Sequence, residues 1–408
     1  MTRSSRRKDN SSQVEEQAAF DLLKFLFSLP PAVLITLIVV VVVIVACGAI
    51  VFVGAGLLAP TSAPVVVQPV TSVPGDGTVT PSAGASWYQV FFTTPKYPDT
   101  AADHHGGLDE KLAAFINSAK TSVDMAAYQL DLPNVIQALM DAKKRGVTVR
   151  IATDTTTIQD PNNNAGYKQL KQAGIPIVDG NPNAIMHNKF VVVDRAAVWL
   201  GSWNFTIDDT YRYNNDAVLI QSPELAKNYT VTFEKMFNDK LFGPKRKPGG
   251  TMPKLTISGV PVESYFSPED KVVEKILPRL KAAATSIDFM AFSFTDDDLG
   301  QAVMDRAKAG VKVRGVFENT GSETQYSEYG KMKQAGLDVM QDGNPYLMHH
   351  KVFIIDGKTV VLGSFNFSQN AETENDENLI IVDDPSLAAQ FTAEFGRVYA
   401  TAKNPPKK

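Results

Sequence analysis

The sequence predicts an α/β protein made of two copies of one domain, preceded by a single membrane-crossing helix. Three observations predict this: an internal repeat at an offset of 162–164 residues, strand–helix alternation inside each copy, and an uncharged apolar run near the N-terminus. The chain has 408 residues, room for two domains of about 100–200 residues once the N-terminal region is set aside. The expected layout is a cytoplasmic segment (1–31), a transmembrane helix (32–58), a Pro/Ser/Thr-rich stalk (59–86) and two domains (87–248 and 249–408).

The apolar run comes first along the chain. Between Phe25 and Gly75 there is no Asp, Glu, Lys or Arg, and residues 32–58 read AVLITLIVVVVVIVACGAIVFVGAGLL. As a helix such a run reaches roughly 40 Å, enough for a hydrocarbon core of about 30 Å. It exceeds the apolar core of a signal peptide, about 7–15 residues. Cys47 follows Ile-Val-Ala as in a lipidation signal, but further apolar residues follow it where a polar segment is expected. The basic residues Arg3, Arg6, Arg7, Lys8 and Lys24 precede the run, and the next is Lys96. That bias puts the N-terminus in the cytoplasm and the catalytic part on the outer face of a cell membrane. The five prolines of 59–85 give an extended stalk.

The repeat organises the rest. AKTSVDMAAYQL (119–130) matches AATSIDFMAFSF (283–294), and LKQAGIPIVDGNP (170–182) matches MKQAGLDVMQDGNP (332–345). IMHNKFVVVD (185–194) matches LMHHKVFIID (347–356), and LGSWNFT (200–206) matches LGSFNFS (362–368). In each copy a strand (122–127; 286–292) leads to a helix stopped by Gly146 or Gly310, then a second strand (147–152; 311–317). Each copy closes with a strand (217–220; 379–382) and an amphipathic helix (223–237; 385–399). Such alternation predicts a sheet faced by helices. GPKRKPGG (243–250) marks the junction.

Inside the repeat lies the chemistry. His187-x-Lys189-x4-Asp194-x6-Gly201-Ser202-x-Asn204 recurs as His349-x-Lys351-x4-Asp356-x6-Gly363-Ser364-x-Asn366. Residues i and i+2 of a strand share a face, so each His joins its Lys, and Ser202 joins Asn204. Asp194 and Asp356 fall on the other face or past the strand end, as structural partners or turn formers. Imidazole, a cation and amide donors on one surface make half of an anion site, and the second copy supplies the other half. Two histidines, two lysines and two asparagines suit a phosphodiester. A lone His-x-Lys carries little weight; two copies at identical spacing carry a great deal. In the MHHK doublet, His349 puts Lys351 at i+2, so His350 faces away as a packed or surface residue. His104 and His105 are read as a loop.

This pattern resembles the double HKD motif of the phospholipase D superfamily, over about residues 87–400. The resemblance implies two α/β/α domains about a pseudo-dyad sharing one active site, so that no dimer is needed. It implies phosphodiester cleavage through a phosphohistidine, without metal or cofactor: one histidine attacks phosphorus, the other protonates the leaving oxygen, and Lys189, Lys351, Asn204 and Asn366 hold the phosphoryl oxygens. Family members also place a carboxylate downstream of the motif asparagine. The matching positions here are Glu377 and Asn215, with Asp216 beside the latter. On that basis His349 with Glu377 is expected as the acid and His187 with Asn215 as the nucleophile, Asp216 being the alternative partner.

Composition narrows the substrate. The sole cysteine lies in the apolar run, so disulfides, zinc ribbons and thiol catalysis are excluded from the rest. Outside residues 1–31 there remain 35 basic and 40 acidic side chains, not the footprint of a tight duplex-DNA binder. A membrane tether favours a phospholipid headgroup ester, with phosphatidic acid as product. The compact repeats and the basic GPKRKPGG keep single-stranded nucleic acid as the alternative. Cardiolipin synthase-type phosphatidyl transfer and a non-catalytic tethered binding module rank below these.

Overall fold

The structure, a computed structural model, describes residues 87–407. The expected membrane helix, the stalk and Cys47 lie outside the described residues. Among the described residues no helix is long and apolar enough to cross a membrane.

The first copy contributes β1 (Tyr88–Phe92), β2 (Ser122–Ala127), β3 (Thr148–Asp154), β4 (Ile177–Gly180), β5 (Lys189–Val193), β6 (Ala197–Gly201), β7 (Tyr213–Asn214) and β8 (Asp216–Gln221). The second contributes β9 (Lys254–Ile257), β10 (Val260–Ser267), β11 (Ser286–Ala291), β12 (Lys312–Phe317), β13 (Asp338–Gln341), β14 (Leu347–Met348), β15 (Lys351–Ile355), β16 (Thr359–Gly363) and β17 (Glu377–Asp383). They form a seven-stranded sheet, β1-β8-β6-β5-β2-β3-β4, and an eight-stranded sheet, β13-β12-β11-β15-β16-β17-β10-β9. The order is duplicated, as the repeat requires.

Local sequence accounts for the elements. β2 (SVDMAA) is buried at all but its first residue, as a central strand covered on both faces should be. Helix Pro133–Lys144 starts with proline in its first turn and buries Val135, Ile136, Ala138, Leu139 and Ala142. It stops where Gly146 takes φ +88°, and Gly310 does the same at +90° after helix Asp297–Lys308. Each sheet is mixed: β2 pairs with β3 in parallel, but β5 returns antiparallel to β2 and runs on through β6 to β8. The sequence expectation contained neither β1, which pairs with β8, nor the β9–β10 hairpin. The hairpin had a local signal, because Ser258 and Gly259 both have positive φ, as a two-residue I′ turn demands.

One apolar cluster joins the two copies. It unites Phe190, Val192, Leu200 and Val218 with Val352, Ile354, Leu362 and Ile380, and encloses Tyr229 and Phe233 of helix Pro223–Phe237 and Phe391 and Phe395 of helix Pro385–Lys403. Two further clusters lie on the other faces of the sheets, one per copy. Burial of this kind contributes about 25 cal/mol per Å², so a shared apolar core holds the halves in fixed register.

Backbone pairing across the junction is the feature that positions the site. Just ahead of the second motif, β14 pairs with β7: Leu347 with Tyr213, Met348 with Asn214. Just ahead of the first, Met186 bridges Asp376. The His187 N–H donates to Asp376 O (3.0 Å), and the His349 N–H donates to Asn214 O (2.9 Å). Each histidine is thus tied to the segment that opens the closing strand of the other copy.

Candidate active site

The two motifs are buried at one place. His187 and His349 are about 6% and 5% exposed, and Lys189 and Lys351 about 1% each. Each lysine opens its strand and turns back to donate to the carbonyl of its own histidine, Lys189 at 2.7 Å and Lys351 at 2.8 Å. A ring flanks each pair: Tyr128 edges His187 and lies under Lys189, and Phe292 does the same for His349 and Lys351. Ser202 and Asn204 lie past the end of β6 rather than on it. Gly201 and Gly363 let the backbones touch there: a Cβ at either would meet the carbonyl of Asp216 or Asn378 at 2.3 Å. Asn204 Nδ2 lies 3.3 Å from the Asp209 carboxylate, and Oδ1 of Asn204 and of Asn366 is buried without a hydrogen bond. Groups of that kind call for a ligand or water.

The aspartates of the motifs are elsewhere. Asp194 lies beyond β5 with φ +54°, and its carboxylate accepts from the N–H groups of Lys120, Thr121 and Ser122. Asp356 repeats this on Ala284, Thr285 and Ser286. They fasten the start of the central strand.

The expected histidine pairing is overturned. Glu377 is not on His349: both its oxygens lie 2.8 Å from His187 Nδ1. His349 Nδ1 instead faces Asn215 Oδ1 at 2.9 Å. The cause is the crossed backbone pairing, since His187 is bonded to Asp376, the residue before Glu377, and His349 to Asn214, the residue before Asn215. The serine of the same copy steadies each partner: Ser364 Oγ donates to Glu377 (2.6 Å) and Ser202 Oγ lies 2.9 Å from Asn215 Oδ1.

Asp216 is not free to replace Asn215 either. It holds His350 Nδ1 at 2.7 Å, while His350 Nε2 meets Glu394 at 3.0 Å. His350 is therefore no ordinary packed or surface residue; it is wholly buried between two carboxylates, which raise its pKa against the effect of burial. The matching contact in the other half is neutral, Asn378 Nδ2 donating to Asn188 Oδ1 at 3.0 Å. One residue of the basic junction is likewise turned inward, while Lys245 and Lys247 stay exposed. Arg246 is buried and paired with Glu269 (2.9 Å) and Asp376 (3.0 Å), so it buttresses the strand of Glu377 and offers nothing to nucleic acid.

One partner was missed from the sequence altogether. Asp209, on helix Ile207–Tyr211, lies 3.3 Å from His349 Nδ1 and also accepts from Asn215 Nδ2 at 3.1 Å. Its signal, an acid five residues past the motif asparagine, has no counterpart in the second copy, where Ala371 stands at the matching position.

Electrostatically the site disfavours the charged form of both rings. Burial, then Lys189 and Lys351, pushes His187 well below its ordinary value. Burial and Lys351 bring His349 to about 3, with Asp209 opposing. Burial also lowers Lys189 to about 8 and lowers Lys351 further still, Lys189 adding to it. Glu377 is raised by burial to about 7, the lysines and Ser364 pulling the other way.

The family described as "Cardiolipin synthase, PLD-like domain" matches residues 112–237 and 276–399, the two copies. The chain belongs to the phospholipase D superfamily. The Chlamydomonas reinhardtii protein named mitochondrial cardiolipin hydrolase is 37% identical over 127 residues, which is 31% of this chain and 57% of that protein. A Rickettsia prowazekii protein named phospholipase D is 30% identical over 162 residues, 40% of this chain and 79% of that protein. The aligned part of this chain thus covers from about half to four fifths of these relatives. In fold, it resembles the Haemophilus influenzae phosphatidylserine synthase structure with a TM-score of 0.57, at 13% identity over 77% of this chain and 86% of that one.

In this phospholipase D-like site the Glu377–His187 pair makes a testable pH statement. A folded pKa near 7, above the ordinary 4.5, means the native state prefers Glu377 protonated. That preference contributes stability below about pH 4.5 and is lost as pH rises through about 7. Glu377→Gln is therefore expected to melt above the wild type at pH 8, by ~3 kcal/mol of stability, with the gap narrowing towards pH 4.5. Turnover should fall by about 10²-fold or more, as when a carboxylate behind a catalytic imidazole is neutralised. Scanning calorimetry and a pH–rate profile check the two halves of the expectation.

Proposed function

We propose that the chain is a phosphodiesterase that hydrolyses a phospholipid headgroup ester to phosphatidic acid through a phosphohistidine. The observation that carries this reading is the meeting of two buried His–Lys pairs, one from each copy, in one site where Glu377 lies 2.8 Å from His187 Nδ1 while His349 Nδ1 faces the Asn215 amide at 2.9 Å and Asp209 at a longer 3.3 Å. A diester monoanion needs cations and directed donors around its non-bridging oxygens, and Lys189, Lys351, Asn204 and Asn366 supply them. Glu377 accepts the Nδ1–H of His187, which leaves Nε2 with its lone pair as the nucleophile. The N–P bond forms as the P–O bond to the leaving group breaks, and the ring becomes cationic against Glu377. His349 gives its proton to the departing oxygen, then takes one from water as that water breaks the N–P bond. The crossed contacts keep His187 in the nucleophile's role, though for the reverse of the reason expected from sequence: the carboxylate serves the attacking ring.

The empty site must gain a proton for this. A bound diester anion offsets Lys351, the largest influence after burial holding His349 neutral, so substrate binding is accompanied by proton uptake at His349. The names of the relatives, cardiolipin hydrolase and phospholipase D, support a lipid substrate, as does the apolar run at 32–58, which would place the site beside a membrane on its outer face. Full-length protein in detergent, given phosphatidylcholine, cardiolipin and single-stranded DNA in separate reactions, is expected to release phosphatidic acid or its equivalent from lipid, with full activity in EDTA. Cleavage of DNA with lipid untouched would replace this reading with a nuclease, and activity lost in chelator and restored by a divalent ion would overturn the mechanism.

A further inference from the structure

At position 215 the two halves differ in charge. At an offset of 162 residues, Asn215 corresponds to Glu377, Thr206 to Ser368, and Asp209 to Ala371. One half keeps its carboxylate on the closing strand and has alanine on the short helix after the motif. The other has an amide on the closing strand and a carboxylate on that helix. Each half therefore holds one acid, at alternative positions.

The contacts of Asp209 are those of a group built into the site. It is about 3% exposed. Its Oδ1 lies 3.3 Å from His349 Nδ1 and accepts from Asn215 Nδ2 at 3.1 Å. Asn204 directs its Nδ2 at both carboxylate oxygens, 3.3 Å each. Thr206 Oγ1 donates to Oδ2 at 2.8 Å and receives the Asp209 N–H at 3.2 Å. That last reciprocity resembles a capping box, with the Thr206 hydroxyl in place of its backbone N–H as donor to the acid, and it would be a sufficient account if the helix needed it. The matching helix, Gln369–Thr373, is capped by Ser368 with alanine in place of the acid, so the acid is not required for the cap.

We infer that Asp209 is the carboxylate that serves His349, acting directly on Nδ1 and through Asn215 as an amide bridge. His349 Nδ1–H donates to Asn215 Oδ1, and Asn215 Nδ2 donates to Asp209 Oδ1. Asp209 is a positioning residue: it acts on the reaction through His349, and the inference rests on His349 being the acid of the reading above. The charges then balance. Lys189 and Lys351 face Glu377 and Asp209, and a monoanionic diester brings one charge that the proton on His349 cancels. The longer contact, 3.3 Å against 2.8 Å at His187, leaves the acid with the weaker counter-charge, which suits a group that must release its proton.

The other charged groups near this pair are few. His349 faces Asp209 from helix Ile207–Tyr211, Lys351 from β15 and Lys189 from β5. Asp209 acts in turn on His187, Lys189, Lys351, Asp131 and Tyr213, and Asp216 reaches Lys351. Burial works against the Asp209 charge, but His349, Thr206 and Asn204 hold its carboxyl below the ordinary value.

The test uses the full-length protein, with Asp209→Asn, Asp209→Ala and the double variant Asp209→Ala/Asn215→Glu, which copies the layout of Ala371 and Glu377. Two diesters are compared: phosphatidylcholine, whose leaving oxygen needs a proton, and bis(p-nitrophenyl) phosphate, whose leaving group does not. Asp209→Asn is expected to lower turnover of the first by about tenfold or more, and of the second by a smaller factor. The alkaline limb of the kcat profile, which reports the substrate-bound enzyme, should move down by about one pH unit, the tenfold equivalent of a lost charge contact. The double variant should recover that limb and most of the rate. Equal losses on both substrates with no movement of the limb, a lowered melting temperature and no rescue would reduce Asp209 to a helix cap. If the wild type turned over neither diester, the proposed function would fail. The inference would then be judged by NMR titration of His349, which Asp209→Asn should lower and the double variant should restore; an unmoved His349 overturns it.

Discussion

His187→Ala is expected to remove turnover almost completely, by at least about 10⁴-fold, and to leave no phosphorylated protein after an acid or base quench. The size follows from what is lost. In the proposed mechanism the ring supplies the attacking nitrogen, and the cationic imidazole bonded to phosphorus would be stabilised by Glu377, 2.8 Å from Nδ1. Alanine leaves Glu377 buried beside Lys189 and Lys351 with no ring to orient, so no neighbouring group inherits the task. Fold should survive, because the contacts that tie this segment to the other copy are made by backbone: the N–H of residue 187 to Asp376 O, and the bridge at Met186. Near-native melting with no labelled enzyme is the expected pair of results. A label trapped on His349 in the wild type would exchange the two roles while keeping the shared site.

His349→Ala should separate the two chemical steps. Loss of a general acid costs about 10²–10⁴-fold where the leaving oxygen is an alkoxide. With a p-nitrophenyl leaving group the first step needs no proton, so attack by His187 should still proceed. Breakdown of the phosphoryl-enzyme needs a base for water, and in the proposed mechanism His349 is that base. The variant is therefore expected to accumulate an acid-labile phosphoryl-enzyme with a burst of p-nitrophenol close to one equivalent, followed by slow turnover. Quenched-flow mass spectrometry on intact protein measures it. A full loss of the burst would make His349 essential for attack as well, and would remove the division of labour.

These two variants could be named from sequence because duplication reports itself. Two copies of His-x-Lys and Gly-Ser-x-Asn at one spacing are readable with no knowledge of the fold, and the helix ending at Gly146 and the strands flanking it follow from short-range pattern. Missed or misread elements had different causes. The strands β1 and β10 take the same place in the two sheets, beside β8 and β17, but neither falls within a matching run of the sequence repeat, and β9 has no counterpart in the first copy. His350 gives one signal in sequence, a doublet, and its role depends on Asp216 and Glu394, the latter 44 residues away in the chain. Arg246 reads as a basic surface because nothing local shows that Glu269 and Asp376 will close over it.

The sequence by itself determined the family, the duplicated α/β plan and the histidines, lysines and asparagines of the motif, because each is a matter of residue type and spacing. Only the tertiary structure decided which acid meets which ring. Pairing of β16 with β17 within one copy makes Glu377 and Ser364 neighbours, as their 2.6 Å hydrogen bond shows. It says nothing of the other copy, whose His187 is brought to Glu377 by backbone pairing at Asp376. The same crossing sets His349 between Asn215 and Asp209, an acid displaced six residues along the chain from the position where repeat symmetry would seek it. A side chain's charge is legible in one dimension; its counter-charge is fixed by proximity, and proximity between two copies of a domain exists only once their shared core has formed.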